Sequence, residues 1–249
     1  RRWIRTLPLY FVILVLVSIL TSNFFDKDFF KYLFLIQKSV SNFIDNDYYP
    51  VAWSLSIEEF FYLLFPIVLI FSNKKNFLRN SLLIFVFIIL IKLVLVDKFD
   101  ANYYRTGTFL RIDAILFGFL LSHFRSLFIK NKNLIIFLLI PLVAIFLFGY
   151  DYFTVNKIVS INRFMFILLM QIISGLTLFS FIFLEPYLKN IKLKNFILLI
   201  SQQTYSIYLF HIILIYIFNN LSYSVYLVMP VYLLLLFLIS TLVYNYFEK

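Results

Sequence analysis

Long apolar runs alternate with short polar segments along the chain. The runs fall at about Leu7 to Leu20, Phe60 to Phe71, Leu82 to Val96, Thr108 to Leu121, Leu134 to Tyr150, Phe164 to Leu184, Phe196 to Phe218 and Val225 to Phe247. An α-helix needs about 20 mostly apolar residues to cross a bilayer core, and the shorter runs reach that length by extending into flanking polar residues or by tilting little. The pattern therefore predicts eight spans and an all-α fold, a polytopic transmembrane helix bundle read as one integral-membrane domain over residues 1–249.

The polar segments carry a topology signal, because Lys and Arg concentrate in cytoplasmic loops. Basic residues cluster at Arg1, Arg2 and Arg5, at Lys74, Lys75 and Arg79, at Arg125, Lys130 and Lys132, and at Lys189, Lys192 and Lys194. These segments are expected inside. The intervening segments are mixed or neutral: Thr21 to Glu59, Asp97 to Gly107, Asp151 to Arg163 and Asn219 to Ser224. They are expected outside, which puts both termini in the cytoplasm. The N-terminal basic stretch and the full span behind it read as a retained helix rather than a cleaved signal.

Composition strengthens the membrane reading. Hydrophobic residues make up 63% of the 249 positions and charged ones only 14%, against about 25% charged in soluble domains. Mean hydropathy is +0.95. The net charge of +10 lies in the loops, as expected of contact with anionic lipid, and no nucleic-acid partner is inferred. With Cys 0 and His 2, disulfides, thiol catalysis and a Cys- or His-built metal site are excluded, and no metal is expected.

Ionisable residues at membrane depth cost about 2.5 to 3.5 kcal/mol on insertion, so each one asks for a function or a partner. Glu58 and Glu59 are expected to begin a span entering from the outer side, either as site carboxylates or as charges complementing a helix N-terminus capped by Ser54 or Ser56. Arg111 and Asp113 lie in the outer third of their span. Being two residues apart, they point to different faces and are expected to pair with other helices. Thr204, Tyr208 and His211 recur at i, i+4 and i+7 and form one polar strip. A His held by a neighbouring Tyr or carboxylate can take a proton from a hydroxyl. Lys92 is expected to snorkel or to sit in solvent, and His123 to lie at the inner interface.

The stretch Trp53-Ser54-Leu55-Ser56-Ile57-Glu58-Glu59-Phe60-Phe61-Tyr62-Leu63-Leu64-Phe65-Pro66 resembles the signature of the acyltransferase family 3 membrane proteins, the O-antigen and exopolysaccharide O-acetyltransferase group. Three other stretches agree in the same order. Arg1-Arg2-Trp3-Ile4-Arg5 resembles the family's Arg-x-x-Arg segment, Arg111-Ile112-Asp113 with Gly118 its Arg-x-Asp helix, and Thr204-Tyr205-Ser206-Ile207-Tyr208-Leu209-Phe210-His211 its Ser-Tyr-x-x-Tyr-Leu-x-His helix. Phe247-Glu248-Lys249 resembles the closing Glu. Departures are Phe60 for the usual Gln, Thr204 for Ser and Ile213 for a frequent Pro.

The resemblance implies about ten spans of the length a bilayer requires, so the first two helices are expected to be missing here. The His of the family's first helix has no counterpart in this chain. It also implies transfer of an acyl group, acetyl by default, from acetyl-CoA or another acyl-CoA to a hydroxyl of a cell-surface or lipid-linked glycan, in the bacterial cytoplasmic membrane. Acyl-CoA is then a donor substrate and no bound cofactor is expected. The catalytic candidates are His211, Glu58, Asp113 and Arg111, which a glycan acceptor on the outer face would meet; the substrate-binding candidates are Arg2 and Arg5, which suit the anionic donor, with Glu59, Tyr208 and Trp53. In the longer protein the first-helix His is the expected base, with His211 supporting it. A transporter or flippase of a glycan or lipid precursor is the alternative, although with Gly 4 and Pro 6 no paired broken helices stand out. A glycan polymerase ranks last, since the longest outer segment lacks Arg.

Overall fold

A computed structural model describes residues 2–39, 44–71, 76–155, 160–184, 191–219 and 225–248. Arg1, Lys74, Lys75, Lys157, Lys189 and Lys249 lie outside the described residues, and Arg2 is described in its backbone only. In chain order the helices are α1 (Arg2–Leu20), α2 (Lys27–Leu33), α3 (Ala52–Phe71), α4 (Phe77–Leu95), α5 (Ala101–Thr106), α6 (Thr108–His123), α7 (Arg125–Lys130), α8 (Lys132–Val155), α9 (Ser160–Leu184), α10 (Ile191–Asn219) and α11 (Val225–Val243), closed by a π-helical turn at Tyr244–Glu248.

Every predicted span is a helix, and no strand occurs among the described residues. The protein is a multi-pass membrane protein: among the described residues five helices are long and apolar enough to cross a bilayer, containing Trp3–Leu20, Phe77–Leu95, Ile161–Ile182, Ile191–Asn219 and Val228–Phe247. In hydrocarbon a backbone without internal hydrogen bonds is prohibitively costly, which is why an apolar sequence of this kind resolves into helices.

Two features depart from the sequence pattern. α3 begins at Ala52 rather than Phe60, so Glu58 and Glu59 stand in its second and third turns and are not charges at its N-terminus. Helix formation tolerates the Ser and Glu residues there, which the apolar pattern alone assigns to a loop. Three short helices also fill the polar segments. Asp26 caps α2 by accepting from the amide of Lys27, and Asp100 caps α5 by accepting from Asn102 and Tyr103. Such caps satisfy amide groups that the first turn leaves without helical partners.

The chain divides into two compact units, residues 1–37, 43–55 and 189–249 in one, and 38–42 and 56–188 in the other. In the first, α1, α2, α10, α11 and the residues leading into α3 enclose a core of Tyr10, Ile13, Leu14, Tyr32, Tyr49, Leu209 and Ile213. Tyrosine hydroxyls bolt these elements to backbone carbonyls: Tyr10 to Tyr32 (2.8 Å), Tyr205 to Thr6 (2.7 Å) and Tyr216 to Tyr48 (2.6 Å). A ring buries apolar area while its hydroxyl finds a polar partner, which suits a membrane interior. In the second unit, α4, α5, α6 and α9 pack around Val96, Tyr104, Leu110, Phe164 and Ile167. Gly107 joins α5 to α6, and there a Cβ would lie 2.7 Å from the Tyr103 carbonyl and 2.8 Å from its ring.

Candidate functional site

The site candidates fall into two clusters, one in each unit. In the first unit α10 carries His211 and Tyr208, both half-buried. The Tyr208 hydroxyl donates to the carbonyl of Val51 (2.8 Å) and accepts from the hydroxyl of Ser54 (2.7 Å). It ties α10 to the start of the Trp-Ser-Leu-Ser-Ile-Glu-Glu helix, where Trp53 is also half-buried. The His211 ring packs against the Tyr208 ring, centroids 5.6 Å apart, but its hydrogen bond goes elsewhere. Its Nδ1 lies 2.5 Å from the Tyr208 backbone carbonyl. A carbonyl can only accept, so Nδ1 carries the proton and, in the neutral ring, Nε2 is left as a proton acceptor. The polar strip is narrower than its spacing predicts. Thr204 is exposed and its hydroxyl turns back onto the carbonyl of Ser201 (2.8 Å), a bond within its own helix that needs no neighbour. Arg5, in the first turns of α1, is exposed.

The second unit holds Asp113 and Arg111 on α6. As expected they take different faces. Asp113 Oδ2 meets Lys92 Nζ of α4 at 2.7 Å, and both side chains are fully buried (0% exposed). Lys92 therefore neither snorkels nor reaches solvent. A Lys stem can carry its charge to an interface only when that costs less than pairing in place, and a carboxylate on the adjacent helix reverses the balance. The amide of Gln171 on α9 donates to the Asp113 backbone carbonyl (3.1 Å), and the Tyr104 hydroxyl donates to the Lys92 carbonyl (3.0 Å). Four helices, α4, α5, α6 and α9, thus converge on one ion pair. Lys92 is the residue that sequence reasoning passed over, although a Lys inside an apolar run is itself the signal of a buried partner.

Arg111 faces a groove of about 300 Å³ between α6 and α9, lined also by Phe117, Gly118, Gln171, Gly175 and Leu178. On α3, Glu58 is exposed and Glu59 half-buried. At the margin of this unit, burial and the Asp100 carboxylate push the Tyr103 hydroxyl up to about 12. It stays protonated and donates to the Ser39 carbonyl (3.0 Å). No group of three or more His, Cys, Asp or Glu able to hold a metal ion occurs among the described residues.

Residues 1–245 match the family model of an acyltransferase domain, acyltransferase family 3. Neither the curated proteins nor the solved structures yield a match to the chain.

Proposed function

The chain belongs to acyltransferase family 3 and is a membrane acyltransferase, and from that premise we propose that it transfers an acyl group, acetyl by default, from acyl-CoA to a hydroxyl of a cell-surface or lipid-linked glycan. The observation that supports this reading most is the state of His211. With Nδ1–H held by the Tyr208 carbonyl, Nε2 keeps the lone pair that an acceptor hydroxyl requires. As the hydroxyl oxygen attacks the thioester carbonyl, its proton passes to a basic nitrogen. The new C–O bond forms, the C–S bond breaks and CoA leaves as thiolate, which recovers the proton.

In this reading Glu58 and Glu59 orient the acceptor, Trp53 offers a ring for a sugar face to stack on, and Arg2 and Arg5 hold the phosphates of the donor. Tyr208 acts through its backbone carbonyl and by fixing α10 to α3. Asp113 is bound to Lys92 and serves in this reading to hold the helices together. The reading places the donor on the cytoplasmic side of a bacterial cytoplasmic membrane and the glycan outside.

The test is transfer of label from radiolabelled acetyl-CoA to surface glycan in membranes carrying the protein, compared with His211→Ala and Glu58→Ala. Label that falls sharply in both variants is the expected result. No label across a panel of acceptors, with the protein intact in the membrane, overturns the reading in favour of transport.

A further inference from the structure

The α6–α9 groove has a charge left over. Lys92, on α4 beside α6, is neutralised by Asp113 at 2.7 Å. Arg111 stands on a different face, lines the groove, and its Nε is buried without a hydrogen-bond partner. Gln171, only 8% exposed, lines the same groove and carries an Oε1 with no partner. One end of the groove therefore offers a cation and a free acceptor, which together suit an anion bearing a hydroxyl. The rest is apolar.

Its length points to a chain. From Arg111 to Leu121 the lining of α6 rises through ten residue steps, about 15 Å at 1.5 Å per residue. That is half of a hydrocarbon core about 30 Å thick, hence the depth of one leaflet. Arg111 lies in the first turn of α6, so its charge stands at one end of the apolar lining, as a lipid phosphate stands at the end of its chains. Two of the chain's four glycines line this groove. A Cβ on Gly175 would come within 2.5 Å of Leu121 and 2.9 Å of Phe117, so Gly175 lets the helices close up. Gly118 has no such reason. A Cβ there meets nothing within 4 Å, and its missing side chain keeps the groove open.

We propose that this groove binds one anionic phospholipid of the phosphatidylglycerol type, its phosphate on Arg111, a head-group hydroxyl on Gln171 Oε1, and an acyl chain lying along Gly118 and Gly175. The site needs no acyl transfer and stands apart from the acyltransferase reading.

The test is native mass spectrometry of the full chain, purified in detergent and incubated with phosphatidylglycerol or with phosphatidylcholine of equal chain length. The wild type is expected to retain phosphatidylglycerol about tenfold better, the value of one charge-assisted contact. Arg111→Gln should erase that preference and Arg111→Lys keep most of it. Gly118→Leu, whose Cβ enters open space, should lower retention of both lipids. Equal retention of the two lipids by the wild type, or undiminished retention in Gly118→Leu, overturns the proposal. So does complete displacement by soluble glycerol 3-phosphate, which would mark a phosphate site without a chain.

Discussion

At the residue scale, the chemistry rests on how a few polar side chains are held. The Tyr208 carbonyl fixes the His211 tautomer, so a side chain lacking a basic nitrogen should fail even where it fits. His211→Gln is expected to lower acyl transfer by about 10² to 10⁴-fold, the range of a general acid–base contribution, with membrane insertion unchanged by protease protection. Lys92 and Asp113 make a different kind of pair. Removing one partner leaves a buried charge, so Lys92→Met should destabilise the protein by about 3 to 5 kcal/mol, read as a lower thermal midpoint in detergent. The double change Lys92→Met with Asp113→Leu should recover most of that loss, because no charge is then stranded. Single and double variants of equal stability would show that the pair is not coupled.

At the scale of elements, the short helix α2 is anchored by Asp28. This carboxylate accepts from Lys31 Nζ (2.7 Å) and from the amides of Asp45 and Asn46 (3.0 and 2.9 Å). Burial pushes the Asp28 carboxyl up, but those hydrogen bonds outweigh it and hold the carboxyl below its ordinary value of 3.8. A group ionised more readily when folded stabilises the fold fully above the unfolded value and loses that contribution as pH falls through the lower folded one. Thermal stability of the wild type should therefore decline as pH drops below about 4, the ordinary carboxylate range. Asp28→Asn should be less stable at neutral pH and lack that part of the acid slope. Parallel pH profiles for the two proteins would remove Asp28 as the anchor.

For the whole molecule, the testable property is its threading through the bilayer. The chain has Cys 0, so single cysteines can be placed without background. Ser126 on α7 and Asn102 on α5 are both exposed. If basic segments face the cytoplasm, Ser126→Cys should react with a membrane-impermeant maleimide only after permeabilisation, and Asn102→Cys in intact cells. The reverse labelling would invert the topology and move the Glu58 carboxylate away from any outer-face glycan.

Class, the places of the long helices and the family motifs were legible in the sequence, because hydrocarbon admits only helices or closed barrels and long apolar runs mark where helices must lie; the start of α3 and the short helices α2, α5 and α7 were not. Even the separation of Arg111 from Asp113 followed from their two-residue spacing. The partners did not. Lys92 in α4, Asp113 in α6 and Gln171 in α9 meet across long stretches of chain, and the open groove beside Gly118 exists only because α6 and α9 adjoin. In a soluble helix an apolar stripe announces the buried face. A helix apolar all round carries no such stripe, since lipid and protein interior look alike to a Leu or Phe side chain. Which face turns inward, which charges meet and which histidine nitrogen keeps its proton are therefore settled by packing and by local hydrogen bonds, and only the tertiary structure decides them.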